Sequence, residues 1–397
     1  MSDGSSGTPI RIGTVIMHHP RRTERLPRLI EACGPLAPRV VADPDPDGVP
    51  SPLRTAKRAW ADIEDGVTHH LVLQDDIVPV PGFAAQLRAA VAARPDHGIS
   101  MYSHWDSPQN SYLVRRAAVA GTAWAPLAPA EWTPTQGFVL PVDQARRLAA
   151  YLAGIPDDVQ DDDEMVVIFC RKQGVPVAAT VPHLLDHGHD PTIVGHHGRL
   201  HATVLAPERP PPPGHWSMAE QLDPGPYTVE LLESRCGLRI VHGEPVEHQF
   251  GWYWHDACAL ARVAPETILS AADPHLAALP AHLVRPGTEI WAAGFLLGAD
   301  AARAGDPPPG GGPLTHAAIA TWVDSGLSAA DHTAAGDSGR AALTALGVTA
   351  TQCGLAAAKG ATTPNPPHGF VAHPHTTTGS DRPATRDRPA KGADHVA

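Results

Sequence analysis

His69-His70-Leu71-Val72-Leu73-Gln74-Asp75-Asp76-Ile77 is the stretch on which the fold reading turns. Residues 69–73 read as a short strand that stops at Gln74-Asp75-Asp76, so an apolar strand carries two adjacent carboxylates at its C-terminal end. The flanking segments extend the pattern. Upstream, residues 11–17 (RIGTVIM) form a β-branched run suited to a strand buried on both faces of a parallel sheet. The polar loop His18-His19-Pro20-Arg21-Arg22 follows, then a helix with Leu26, Leu29, Ile30 and Cys33 on one stripe, ended by Gly34-Pro35. Residues 39–42 (RVVA) are a second strand, and residues 51–63 a helix with Ser51 as N-cap and Pro52 at its first position. Downstream come a helix over 83–93, strands over 98–102 and 136–140, an Asp143-capped helix to Leu152, a helix over 162–173 and a strand over 175–181. Strands separated by helices in this way indicate βαβ units, an α/β fold and a mostly parallel sheet flanked by helices.

A chain of 397 residues is long for one core, so two domains plus flexible segments are expected. Pro and Gly supply about a fifth of it, which calls for long loops or linkers without making the whole chain disordered. The expected organisation is a flexible N-terminus (1–8), the α/β domain (9–206), a Pro-rich linker (207–225, beginning PERPPPP), a smaller, mainly helical accessory domain (226–355) and a disordered tail (356–397). In the accessory part, residues 227–262 suggest a strand pair and a helix, residues 264–298 are mainly helical, and 314–327 and 339–346 read as two short helices.

Composition excludes several classes. No run of eighteen apolar residues exists, so no membrane span is expected. The N-terminus lacks a signal pattern, and five widely spaced cysteines without a CxxC read as reduced thiols, so the expected compartment is the cytoplasm. A formal charge of −12 argues against a general nucleic-acid binder, while leaving room for one local basic groove.

Three constellations carry chemistry. In an open parallel sheet ligands bind at the C-terminal strand edge, where Asp75 and Asp76 sit. Two carboxylates there repel each other unless a cation intervenes, and Mg²⁺ or Mn²⁺ prefers one or two carboxylates plus phosphate oxygens. A solvated turn is the plainer alternative. The second is His183-Leu184-Leu185-Asp186-His187-Gly188-His189 after the strand over 175–181, in which His187 is the chosen ligand and His183 and His189 stay open. The third is Asp157-Asp158-Val159-Gln160-Asp161-Asp162-Asp163-Glu164, which either complements a helix dipole or supplies a general base, with Asp162 and Asp163 best placed. Trp105, Trp124 and Trp132 suit an acceptor pocket or ordinary packing, and the aromatic stretch Phe250-Gly251-Trp252-Tyr253-Trp254 a carbohydrate platform or a core.

In order and spacing, these pieces, with LVLQDDIVPVPGF, TQGFVLPVDQARRL, DDDEMVVIFCRKQGVPV and TVPHLLDHGHDPTIVG, resemble the GT-A-fold nucleotide-sugar glycosyltransferases, including the lipooligosaccharide-galactosyltransferase-like families. The resemblance spans about residues 9–200. It implies a Mn²⁺- or Mg²⁺-dependent transfer from a nucleotide diphosphate donor, a UDP-sugar, to a hydroxyl acceptor, with inversion. It implies Asp76, Asp75 and His187 at the metal, Asp162 and Asp163 as acceptor-activating carboxylates, and Asp43, with Asp45 as substitute, near the uracil. Arg54 or Lys57 would face the diphosphate. Many relatives carry an acid where this chain has Gln74. The rival readings are a divalent-metal phosphoesterase or nucleotidyltransferase, a non-catalytic nucleotide-binding protein on the same scaffold, and a transferase acting on a modified nucleobase, against which the charge counts.

Overall fold

The structure, a computed structural model, describes residues 9–157, 159, 161–188, 201–218, 223–241 and 252–360. The expected flexible N-terminus, Asp158, His189, Phe250, Gly251 and the tail beyond 360 lie outside the described residues.

In chain order the first part contains β1 (Ile12–His18), α1 (Leu26–Ala32), β2 (Arg39–Ala42), α2 (Pro52–Ala61), β3 (His69–Gln74), β4 (Ile77–Pro79), α3 (Phe83–Ala93) and β5 (Gly98–Ser100). It continues with α4 (Asn110–Ala120), β6 (Trp124–Pro126), β7 (Gly137–Pro141), α5 (Val142–Ala153), α6 (Asp162–Gln173), β8 (Val177–Thr180) and β9 (Leu185–His187). Local chemistry explains several boundaries. Ser51 Oγ accepts from the Arg54 amide at 3.3 Å, so α2 starts as its cap and Pro52 dictate. Asp143, in contrast, does not cap α5. Because β7 runs directly into the helix, the cap position falls on Pro141, and Asp143 lies exposed in the first turn, paired with Arg146 at 3.2 Å.

Seven strands form one sheet in the order β2-β1-β3-β7-β5-β8-β6. β1 pairs in parallel with β2 and β3, and β5 with β8, while β7 and β6 run against the rest. The α/β fold with a mostly parallel sheet is therefore present. Parallel register aligns the strand ends: His18 lies opposite Ala42, and Met17 opposite Gln74. The loops after β1, β2 and β3 consequently leave from one edge.

The later part contains β10 (Tyr227–Leu232), β11 (Arg235–Ile240), β12 (Trp252–Tyr253), α7 (Trp254–Ala257), α8 (Pro265–Leu276), α9 (Ala281–Ala304), α10 (Thr315–Gly326) and α11 (Ala329–Gly360). The three strands make an antiparallel sheet. The stretch 339–346 is not a separate short helix but lies inside α11, which bends at Gly336 (φ 57°) and continues to Gly360, past the expected start of the tail at 356. Among the described residues one helix segment, Ala329–Lys359, is long and apolar enough to cross a membrane by length and composition. Its glycines pack against α9: the Gly347 carbonyl lies where a Cβ on Gly294 would come within 2.6 Å of it, and side chains at Gly298 or Gly354 would overlap the facing backbone.

Helix α4, buried on all sides, joins the two parts. Its Tyr112 hydroxyl donates to Asp300 Oδ2 of α9 at 2.8 Å, Arg116 pairs with the same carboxylate at 3.3 Å, and Arg115 Nε donates to the Ala318 carbonyl of α10 at 3.1 Å. The chain through residue 360 accordingly forms one compact unit. The Pro-rich stretch packs within it: Gln86 Nε2 donates to the Pro211 carbonyl at 3.4 Å, and Trp216 lies on Trp124 with ring centroids 5.4 Å apart. Trp124 is thereby core, not pocket wall.

The α9–α11 contact predicts that Gly298→Val, which drives a branched side chain into the Thr351 backbone, costs about 1–3 kcal/mol or more. Gly34→Ala, with nothing within 4 Å of the added carbon, should stay within about 0.5 kcal/mol. Thermal melts of the two variants check the contrast.

Candidate functional site

The edge where β1, β2 and β3 end gathers most of the charged residues singled out above. Asp75 and Asp76 follow β3 and are both buried. Arg22, from the loop after β1, bridges them: its Nη1 donates to Asp75 Oδ1 at 3.0 Å and to Asp76 Oδ2 at 2.6 Å. Asp75 Oδ2 accepts from His18 Nδ1 at 3.0 Å and from the His19 amide at 2.7 Å. His187 arrives from a different direction. β4 and β9 pair antiparallel with Ile77 opposite His187, which sets its Nε2 3.3 Å from Asp76 Oδ2. Its Nδ1 faces the Gly188 carbonyl at 2.7 Å, and the Gly188 amide donates to the Asp76 carbonyl at 2.6 Å. Burial opposes the ionised form of Asp76, but His187 and Arg22 outweigh it and hold the carboxyl at about 2. Burial likewise disfavours charge on His187, and Asp76 more than offsets it, so its imidazole is raised.

Next to this cluster, Asp43 follows β2. Arg54 grips it with two hydrogen bonds, Nε to Oδ1 at 2.9 Å and Nη2 to Oδ2 at 3.0 Å. Burial would raise the Asp43 carboxyl, but Arg54 and the Asp45 amide pull it below its usual range. Arg54 also donates to the carbonyls of Val49 (3.1 Å) and Asp45 (2.7 Å), so this guanidinium organises the loop after β2 instead of standing open towards a ligand. The Asp45 side chain points to solvent. Lys57 reaches away, to Asp157 and the Ile155 carbonyl, each at 2.5 Å. His19 Nε2 lies 4.0 Å from Asp43 Oδ2 while its amide holds Asp75, so one residue touches both carboxylate groups.

The two carboxylates that open α6 separate in role. Asp162 is buried, its Oδ2 has no hydrogen-bond partner, and the nearby Thr135 side chain favours its ionised form. Thr135 accepts from Gln74 Nε2 at 3.3 Å, so it stands between Asp162 and the residue just before Asp75. Asp163 is half-buried and turns back on its own helix, accepting from the Glu164 amide at 2.8 Å. Burial raises both carboxyls, and the Asp162 charge adds to the rise at Asp163. Asp162, not Asp163, is the one that faces the strand ends.

Asp75, Asp76 and His187 are thus brought together, but their donor atoms do not fit a divalent ion. Of the four carboxylate oxygens, only Asp76 Oδ1 has no hydrogen-bond partner. His187 is engaged as an ion-pair partner of Asp76, its Nε2 facing Asp76 Oδ2 and its Nδ1 the Gly188 carbonyl. Among the described residues no group of three His, Cys, Asp or Glu side chains is arranged to hold an ion. Reading the sequence passed over Arg22, His18, His19 and Thr135. For the first three a signal existed: a His/Arg-rich loop leaving the strand beside β3. For Thr135 no local pattern marks it.

Asp162 binds its proton more tightly folded than unfolded, so its contribution favours the folded state at low pH and is lost as pH rises towards neutrality. Asp162→Asn should therefore melt several degrees higher than the parent at pH 8. The advantage should shrink as pH falls towards the ordinary carboxylate value of 3.8. Paired melts across that range measure it. Among known proteins, no family model matches this chain and no curated protein matches it.

Proposed function

We propose that this chain is a glycosyltransferase, moving a sugar from a nucleotide diphosphate donor, a UDP-sugar, to a hydroxyl acceptor. The observation that carries the reading is the place of Asp162 next to Thr135, whose hydroxyl accepts from Gln74, the residue just before Asp75 and Asp76. It sets a buried carboxylate with heightened proton affinity and an unpartnered oxygen towards the sheet edge that also carries the Arg22 guanidinium. Glycosyl transfer needs both. The acceptor hydroxyl gives its proton to a base as its oxygen bonds to the anomeric carbon. The bond from that carbon to the diphosphate breaks, and the leaving group takes the electron pair and needs positive charge beside it. Asp162 serves as the base, and attack from the face opposite the diphosphate inverts the anomeric centre. No step is routed through a metal ion.

A second reading, a nucleotide-binding protein without turnover, is favoured by the closed Arg22 bridge across Asp75 and Asp76. A thermal-shift screen of nucleoside diphosphates and nucleotide sugars, followed by product analysis with sugar and nucleoside acceptors, separates the two. UDP or a UDP-sugar should raise the melting temperature by mass action, and a glycoside plus UDP should form. Asp162→Asn should keep UDP binding and lose transfer by about 10²–10⁴-fold, the usual worth of a positioned base. Ligand binding without any product across the acceptors would leave the second reading, and release of free phosphate would point to a phosphoesterase.

A further inference from the structure

We propose that Arg22 stands where a divalent ion would otherwise sit: it holds the Asp75–Asp76 pair together and supplies the positive charge that faces the donor diphosphate. The second clause rests on the glycosyl-transfer reading; the first stands on geometry alone. One nitrogen of Arg22, Nη1, lies within hydrogen-bond distance of one oxygen from each carboxylate, 3.0 Å from Asp75 and 2.6 Å from Asp76, which is the bridging position a cation between them would take. The residue is not there by a chance swing of a long side chain. Its loop is pinned to the same carboxylate, since the His19 amide donates to Asp75 Oδ2 at 2.7 Å, and His19 Nδ1 accepts from the Arg21 amide at 3.2 Å to start the turn over Pro20–Arg22.

Two polar groups of the cluster are left without partners. Arg22 Nε and Asp76 Oδ1 are both buried without a partner among the described residues, one a donor and the other an acceptor. A buried donor and a buried acceptor left unpaired are costly unless a ligand closes them. A sugar diphosphate offers both complements, phosphate oxygens for the guanidinium and a ring hydroxyl for the carboxylate. A guanidinium suits the first contact because it stays charged and presents several N–H groups in a planar fork, so one nitrogen can hold the carboxylates while the others meet phosphate.

Two titrations of the full chain test this: Mn²⁺ alone, and UDP in the presence of either EDTA or Mn²⁺. The parent protein should show no saturable Mn²⁺ binding and equal UDP affinity in both buffers. Arg22→Ala should weaken UDP binding by about tenfold to a hundredfold, the worth of a charge-assisted contact. It should also acquire Mn²⁺ binding at the vacated pair, and adding Asp76→Asn should abolish it. Arg22→Lys, which keeps the charge without the fork, should recover part of the UDP affinity and no Mn²⁺ binding. Circular dichroism melts confirm folding, and if Arg22→Ala does not fold, the parent and lysine titrations decide alone. Saturable Mn²⁺ binding by the parent that Asp76→Asn removes, or UDP binding that collapses in EDTA, overturns the proposal. If the parent binds neither Mn²⁺ nor UDP, the glycosyl-transfer reading falls and takes the diphosphate clause with it.

Discussion

Two carboxylates buried side by side at the end of a strand cannot stay there unneutralised, and the candidate site is built around that constraint. Removing an ion from water costs several kcal/mol even after relaxation, and only close opposite charge with well-made hydrogen bonds offsets it. Asp75 and Asp76 draw their partners from separate elements: Arg22, His18 and His19 from the end of β1, and His187 from β9. The requirement for neutralisation thereby fixes the β1 loop and the β4–β9 ribbon over the sheet edge. Asp43 and Arg54 repeat the arrangement at the end of β2, on the far side of β1, with His19 from the β1 loop between the two groups.

A similar constraint works between α4 and α9. Arg116 and Asp300 are both buried, far apart in sequence, and meet across α4 and α9 with Tyr112 donating to the same carboxylate. Each of these charges is acceptable in the interior only because the other is present. Together with the glycine-lined contact between α9 and α11, this pair makes the later helices continuous with the sheet. The Pro-rich stretch at 207–213 resembles a spacer in composition, yet Trp216 just after it packs on Trp124 and closes that face. Proline stiffness is compatible with either outcome; the nearby tryptophan decides for packing.

The site was legible to the extent that its residues follow a strand. Asp43, Asp75 and Asp76 stand at strand ends, and a parallel sheet places such ends on one edge whatever the details. Asp162 was legible as a helix opener, but its distinction from Asp163 was not. Adjacent helical residues point about a quarter-turn apart, so which of them is buried depends on how the helix is rotated against the sheet. Arg54 and Lys57 illustrate a further gap. Both are basic, on one helix near the right loop, and long side chains of that kind reach whichever carboxylate lies within range: Asp43 for Arg54, and Asp157 for Lys57.

What the amino-acid sequence alone determined is the layer architecture and the edge at which chemistry is concentrated. Apolar runs of strand length, caps such as Ser51 and the period of the intervening helices are local properties, satisfied within a few residues. Only the tertiary structure decided who neutralises whom. That Arg22 fills the space between Asp75 and Asp76, that His187 turns its ring nitrogens to Asp76 and the Gly188 carbonyl, and that Asp162 lies near Thr135 all depend on backbone positions brought together across dozens of residues. Charge pairing acts over a few ångströms in space and carries no imprint in sequence spacing, so it became readable only when the strands were laid side by side.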